Sequence, residues 1–251
     1  MNLSTENGFL ASKLIDEGFQ DPQIFIHCSG ATSDAANHSF EAAMAGELCA
    51  AKRTLDYVNS HPSIKYIVYL SSMHLTYFEK EVVSTSKIRY AKLKNRVEEF
   101  FINADLKYAK LKIIRLPNIY GKPLNQHFGN SLFANQIILE AISKGTITIT
   151  ATSDEYIDLF PFKMLMELLS QKNLITYDLT TNISSRRRIG LIDFAYTVRD
   201  ILLPYIGDVE IFSSQYDAQN DYINLIEGVN FSRDYFLKME RFEILGFLKS
   251  T

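Results

Sequence analysis

Between residues 39 and 116 two long helical patterns alternate with two short apolar runs, and this alternation limits the fold more than any other feature of the chain. "SFEAAMAGELCAAKRTLDYVNS" has helical spacing and stops before "HP". "IKYIVYLSS" is an apolar run ending in two serines, as expected of a strand buried on both faces. "SKIRYAKLKNRVEEFFINA" returns to helical spacing through Ile88, Ala91, Val97, Phe100 and Phe101, and "LKIIRLPNIYGKP" is a second strand closed by Pro and Gly. The pattern starts earlier still. "GFLASKLIDEGF" reads as a helix with Phe9, Leu10, Leu14 and Ile15 on one side and Ser4 or Thr5 as its cap, and "QIFIHCSGATS" as a buried strand opening into a loop at Gly30. Strands separated by helices of this length predict an α/β fold around a parallel sheet covered on both faces.

With 251 residues, 47% hydrophobic and 22% charged, the chain buries a core in one domain or in one domain with a small lobe. A net charge of -3 gives no field that would gather nucleic acid, and the one basic run, "SSRRRIG", is too short to change that. No nucleic-acid partner is expected. Cys28 and Cys49 stand in apolar surroundings without metal-ligand spacing, so they read as buried reduced thiols and no metal is expected. No apolar run approaches the ~18 residues of a membrane span, and no basic stretch leads into one at the N-terminus. The reading is a cytoplasmic protein that does not enter a membrane.

The pentapeptide "YAKLK" occurs twice, at 90–94 and at 108–112. On a helix, residues four apart share a side, with roughly 5–6 Å between their Cβ atoms. Along a strand rising ~3.3 Å per residue they stand about 13 Å apart. Only Tyr90 and Lys94, on the helix, can therefore bring an ammonium to a phenol. Tyr108 and Lys112 lie where the chain enters a strand. Chance supplies about one Tyr-x-x-x-Lys in a chain with this many tyrosines and lysines, so the neighbours of the pair must carry the argument. Upstream, Ser71 and Ser72 end a strand, at the side where open parallel sheets bind ligands. Downstream, Asn118, Tyr120 and Gly121 end the next strand. His74 is the other acid/base candidate nearby and reads better as a pocket or surface residue.

The ordered set of a strand with "SS", a helix with Tyr-x-x-x-Lys and a strand with "RLxNxYG" resembles the extended short-chain dehydrogenase/reductases of the NAD-dependent epimerase/dehydratase family. "DPQIFIHCSGATS" resembles that family's "D-x-V-I-H-x-A-A" strand, and the likeness is specific over about residues 21–123. It implies Ser72, Tyr90 and Lys94 as the catalytic set, with Tyr90 the general acid/base, Lys94 its positive neighbour and Ser72 a hydrogen-bond partner of the reacting oxygen. It implies NAD or NADP as cofactor, held by Ser29, Gly30, Tyr90 and Lys94. It also implies a nucleotide-sugar substrate touched by Ser72 and Asn118, and a place in polysaccharide biosynthesis. Further along, "SLFANQIILEAISKGTITIT", "LITYDLTTNISS" and "MERFEILGFLKS" resemble parts of the family's substrate lobe. The expected organisation is a partial Rossmann-like domain at 1–123 and a mixed remainder with a small C-terminal α/β substrate lobe at 124–251.

Several departures bear on competence. An arginine common in relatives is replaced within "EYIDLFPF", and Arg186, Arg187 and Arg188 form either a substitute for it, with Arg187 the candidate, or a solvated loop. The family's Asn in the helix after "HxAA" is Glu47, and its Gly-Thr is Ala50-Ala51. No G-x-G-x-x-G occurs, and only 23 residues precede Ile24. The alignment without an internal deletion leaves out the first three strands, and with them the first dinucleotide-binding βαβ units. A sheet so shortened bares the edge of "QIFIHCSG", which predicts a homodimer or a partner chain that covers it. Three readings remain: an enzyme of the family, a non-catalytic or partner-dependent relative that has lost independent cofactor binding, or a truncated or decayed product of a family gene.

Overall fold

The computed structural model describes residues 9–28, 30–79, 85–122, 132–149, 156–184, 188–213 and 231–250. The chain forms two compact units, 1–116 with 169–183, and 117–168 with 184–251. In chain order the first unit holds α1 (Phe9–Asp16), β1 (Ile24–His27), α2 (Ser33–His38), α3 (Phe40–Ser60), β2 (Tyr66–Ser72), α4 (Met73–Glu79), α5 (Thr85–Ile102) and β3 (Lys110–Leu116). The second takes β4 (Asn118–Tyr120), α6 (Phe133–Lys144), β5 (Thr146–Ile149), β6 (Tyr156–Pro161) and α7 (Phe162–Leu168). The chain then returns to the first unit for α8 (Gln171–Thr176) and β7 (Thr180–Asn182). It completes the second with β8 (Arg188–Gly190), α9 (Leu191–Ile206), β9 (Glu210–Ser213) and α10 (Arg233–Gly246), closed by a 3-10 turn at Phe247–Ser250.

The first unit is a Rossmann-like α/β layer structure on a wholly parallel sheet of order β1-β2-β3-β7. Side chains alternate along each strand. Phe25, Ile67, Tyr69 and Ile113 therefore share a face, where Ala51 and Val58 of α3 and Val97 and Phe101 of α5 pack on them. Burying each large side chain of this set contributes about 1.5–3 kcal/mol. β1 is the edge of the sheet, and among the described residues no strand precedes it.

Three details differ from the pattern read in the sequence. In α1 the buried face is Ala11, Lys13 and Leu14, whereas Ile15 is 46% exposed. Cys49 is exposed and not buried, because the inward face of α3 runs through Glu47, Ala50, Ala51, Thr54 and Val58, and Cys28 is half-buried; neither is in a disulfide. The strand expected to run through "LKIIRLPNIYG" breaks at Pro117, which has no N–H for a ladder. β3 ends before the proline in the first unit, and β4 pairs with β6 in the second.

The second unit has a three-stranded sheet, β4-β6-β8, and a two-stranded parallel pair of β5 with β9. Its core gathers Tyr120, Ile138, Phe194, Val198, Leu202 and Ile244. Gly145 ends α6 with φ 65°, a left-handed conformation that a side chain would strain, and its N–H closes on the Ala141 carbonyl. Among the described residues no helix is long and apolar enough to cross a membrane.

Candidate functional site

The register of the sheet places Ser71 beside Arg115 and Ser72 beside Leu116, at the carboxyl ends of β2 and β3. The chain turns directly from β2 into α4, and the Ser72 hydroxyl oxygen accepts the His74 N–H at 3.2 Å. α5 then packs over this strand end. Its 3.6-residue period puts Tyr90, Lys94 and Glu98 on successive turns of one side. The ammonium of Lys94 lies 5.6 Å from the centre of the Tyr90 ring and 5.5 Å from that of Tyr69. The imidazole of His74 meets the Tyr90 ring edge-on at 5.8 Å, with 78° between the planes. The second "YAKLK" makes no such pair: Tyr108 is 53% exposed, and the Lys112 amine donates to the Tyr177 carbonyl.

Lys94 is only 4% exposed, and so is Glu47 on α3. Nζ and Oε2 stand 3.8 Å apart, beyond hydrogen-bond length, and the other oxygen of Glu47 accepts the Ala31 N–H. Gly30 completes the enclosure. A Cβ there would lie 2.6 Å from Nζ and 3.8 Å from each Glu47 oxygen, so the loop after β1 lies against this pair because it carries no side chain. Burial pushes the Lys94 ammonium down, but Tyr69, Tyr90 and Glu47 together push it up by more, and the amine stays charged. Burial likewise pushes the Tyr69 phenol up. His27 ends β1 with Nδ1 2.9 Å from the Thr54 hydroxyl, its ring between Tyr69 and Phe101. Burial first, then the charges of Lys94 and Arg53, lower it to about 3, so it is neutral at pH 7. Burial and Lys87 lower His74 to about 4.

One turn beyond Lys94, a second buried ion pair closes the strand ends. The Ser71 hydroxyl donates to Glu98 Oε1 at 2.5 Å. Arg115 donates to the same carboxylate from Nε at 3.0 Å and from Nη2 at 2.7 Å. Its outer edge forks onto Glu79 of α4 at 3.0 and 3.1 Å. Nη1 also donates to the Thr76 hydroxyl at 3.1 Å, and Thr76 in turn donates to Asn182 of β7 at 3.0 Å. The sequence reading passed over Glu98 and Arg115; Glu98 stands four residues after Lys94, the same helical offset that singled out Tyr90.

The remaining expected residues fall elsewhere. Asn118 belongs to the second unit, is exposed, and donates Nδ2 to the Asp158 carbonyl at 3.3 Å. Ser29 and Arg187 lie outside the described residues. Among the described residues no group of three His, Cys, Asp or Glu side chains is gathered to hold a metal.

No protein-family model matches the chain, and no curated protein matches it. Solved structures do. The UDP-N-acetylglucosamine 4-epimerase from Methanobrevibacter ruminantium M1, in complex with UDP-N-acetylmuramic acid, superposes with a TM-score of 0.66 at 14% identity over 98% of this chain and 83% of that one. MoeE5, in complex with UDP-glucose and NAD, gives 0.65 at 12% identity over 99% and 98%. RMD from Pseudomonas aeruginosa, complexed with NADPH, gives 0.63 at 13% identity over 96% and 98%. The chain has the fold these proteins share.

Proposed function

We propose that the chain acts on a nucleotide-sugar by Tyr-Lys acid/base chemistry, as an epimerase, dehydratase or reductase that works with NAD or NADP. The observation that carries this reading is the Lys94 ammonium held against the Tyr90 ring at the carboxyl end of a parallel sheet. Tyr90 Oη is the atom that gives or takes the proton of a sugar hydroxyl, and Lys94 supplies positive charge beside it. The Ser72 oxygen already accepts the His74 N–H, so its own proton remains to donate to the reacting oxygen. Asn118 is assigned to the substrate by resemblance to the same group of enzymes, and Arg187 as a substitute for the arginine those enzymes carry elsewhere, because a guanidinium fork suits a phosphate. A nicotinamide, when bound, supplies the hydride acceptor or donor.

Gly30, Tyr90 and Lys94 are the described residues that would hold the nicotinamide end of such a cofactor, and the absence of a side chain on Gly30 lets the loop after β1 lie against Lys94. For the pyrophosphate the sequence has no G-x-G-x-x-G. The edge of β1, unpaired among the described residues, supports a dimer or a partner chain that pairs with it.

A second reading, a non-catalytic or partner-dependent relative, is favoured by Glu47, whose buried carboxylate offsets the charge of Lys94. Isothermal titration with NAD and NADP, beside turnover on a panel of nucleotide-sugars by the wild type and Tyr90→Phe, separates the two. The first reading expects micromolar cofactor binding and turnover that Tyr90→Phe abolishes. Absence of binding, with and without a nucleotide-sugar, overturns it and leaves the second.

A further inference from the structure

Glu98 lies one turn beyond Lys94 and two beyond Tyr90 on α5 and is 2% exposed. We propose that Glu98 is the positioning residue of the site: clamped between the Ser71 hydroxyl and the Arg115 guanidinium, it fixes the height of α5 along β2 and so sets where Tyr90 and Lys94 stand at the strand end. This rests on the reading of Tyr90 and Lys94 as the acid/base pair.

The apolar contacts of α5 cannot do this alone. Ala91, Leu93, Val97 and Phe101 are buried, but burial is non-directional, and a helix shifted along its axis re-forms much of the same contact. Hydrogen bonds to a carboxylate are short and directional. Oε1 of Glu98 receives both the Ser71 hydroxyl and Arg115 Nε, and Oε2 receives Nη2, so a slide along the helix axis breaks three bonds together. The anchor points are themselves fixed. Ser71 and Arg115 are register partners in adjacent parallel strands, and Ser71 is the neighbour of Ser72. The far edge of Arg115 is tied through Glu79 and Thr76 to α4, and through Thr76 to Asn182 on β7. The helix start that carries His74, the strand end that carries Ser72 and the helix that carries Tyr90 thus meet at one guanidinium. The residue types follow from the task. A carboxylate accepts at both oxygens, whereas a glutamine would present an NH2 to one of the donors. An arginine, unlike a lysine, does not shed its charge when buried.

The test is nuclear magnetic resonance of the full chain labelled with 13C at tyrosine Cζ, without ligand, the Tyr90 signal being the one that Tyr90→Phe removes. Ser71→Ala and Glu98→Gln are expected to shift or split that signal by more than its width, and Ser71→Thr to restore the wild-type position. Val58→Ala, a core truncation in the same unit, is expected to leave it in place at a temperature where every variant is folded. A Tyr90 signal unmoved in Ser71→Ala, or moved as much by Val58→Ala, overturns the proposal. Should Glu98→Gln fail to fold, the Ser71→Ala and Ser71→Thr pair decides it. Because no ligand or turnover enters, loss of the enzymatic reading and loss of the positioning role give different results.

Discussion

The two ion pairs buried along α5 are built in opposite ways. Glu98 meets Arg115 through hydrogen bonds that occupy both carboxylate oxygens, with Ser71 as a further donor. One turn earlier, Lys94 meets Glu47 at 3.8 Å, a distance that leaves charge attraction without a hydrogen bond. A forked guanidinium keeps its proton under any condition in which the protein is folded, so the Arg115 cluster can only hold things in place. An ammonium in the same depth of protein can lose its proton when its surroundings change. The difference separates a brace from a group able to take part in proton chemistry, although both are buried pairs of one acid and one base.

Removing the brace gives the largest expected effect. Glu98→Ala leaves Arg115 charged, with only the partly exposed Glu79 beside it, and is expected to cost about 3–5 kcal/mol in urea unfolding. A loss under about 1 kcal/mol, the range of exposed pairs, would erase the distinction drawn above.

Acid acts next, on the Lys94 side. His27 is lowered in the folded chain to about 3, so between pH 6.5 and about 3 the unfolded chain binds a proton that the folded one does not. Stability is therefore whole above pH 6.5 and falls as the pH drops, by about 2–3 kcal/mol from this group at pH 4.5. His74, lowered to about 4, acts in the same direction. Thermal melts of His27→Gln across pH 4.5–7.5 are expected to flatten much of this slope, and an unchanged slope assigns acid sensitivity elsewhere.

Glu47→Gln is expected to cost about 1–3 kcal/mol, less than loss of Glu98, because Lys94 can deprotonate once the carboxylate is gone. Its sign with pH is the sharper readout. In the wild type the Lys94 ammonium is held above its ordinary range, a stabilisation present below the unfolded pKa and lost as alkali titrates the folded group. In the variant the Glu47 share of that upward push is gone and the folded amine sits lower than in the wild type; where burial outweighs the remaining pull of Tyr69 and Tyr90, stability rises with pH toward that of free lysine. The difference between the two Tm curves from pH 8 to 10.5 is thus expected to narrow as the pH rises. A constant gap would mean that Glu47 does not set the charge of Lys94.

Gly30→Ala is the mildest change. The added Cβ meets the end of a flexible side chain, so Nζ moves aside at about 1 kcal/mol, the cost of an off-rotamer lysine. Chemical denaturation measures it, and a loss above about 3 kcal/mol would mean that the loop and not the lysine is what resists.

Helical spacing made the juxtaposition of Tyr90 and Lys94 legible, because both lie on one element and their offset is local, and the strand ends on either side of that helix singled the pair out. Gly30 and Glu47 were also visible, as a loop-opening glycine and as an acid where a neutral side chain was expected. The Glu98 clamp was not, because it depends on Arg115 lying beside Ser71, a fact of strand register between residues 44 positions apart. The break at Pro117 had its signal in the sequence, but the assignment of its two halves to different units did not. β7 left almost no trace: three half-buried residues, Thr180–Asn182, lack the apolar run that marks β2.

That late strand affects how the protein is made. β3 acquires its outer neighbour only when Ile113 pairs with Thr180. At about 5–20 residues per second of synthesis, the ribosome needs roughly 3–13 s to supply that partner once β3 has been made. For that interval the nascent chain carries a bare strand edge while the intervening segment of the other unit emerges. Pauses in translation between these positions lengthen the exposure.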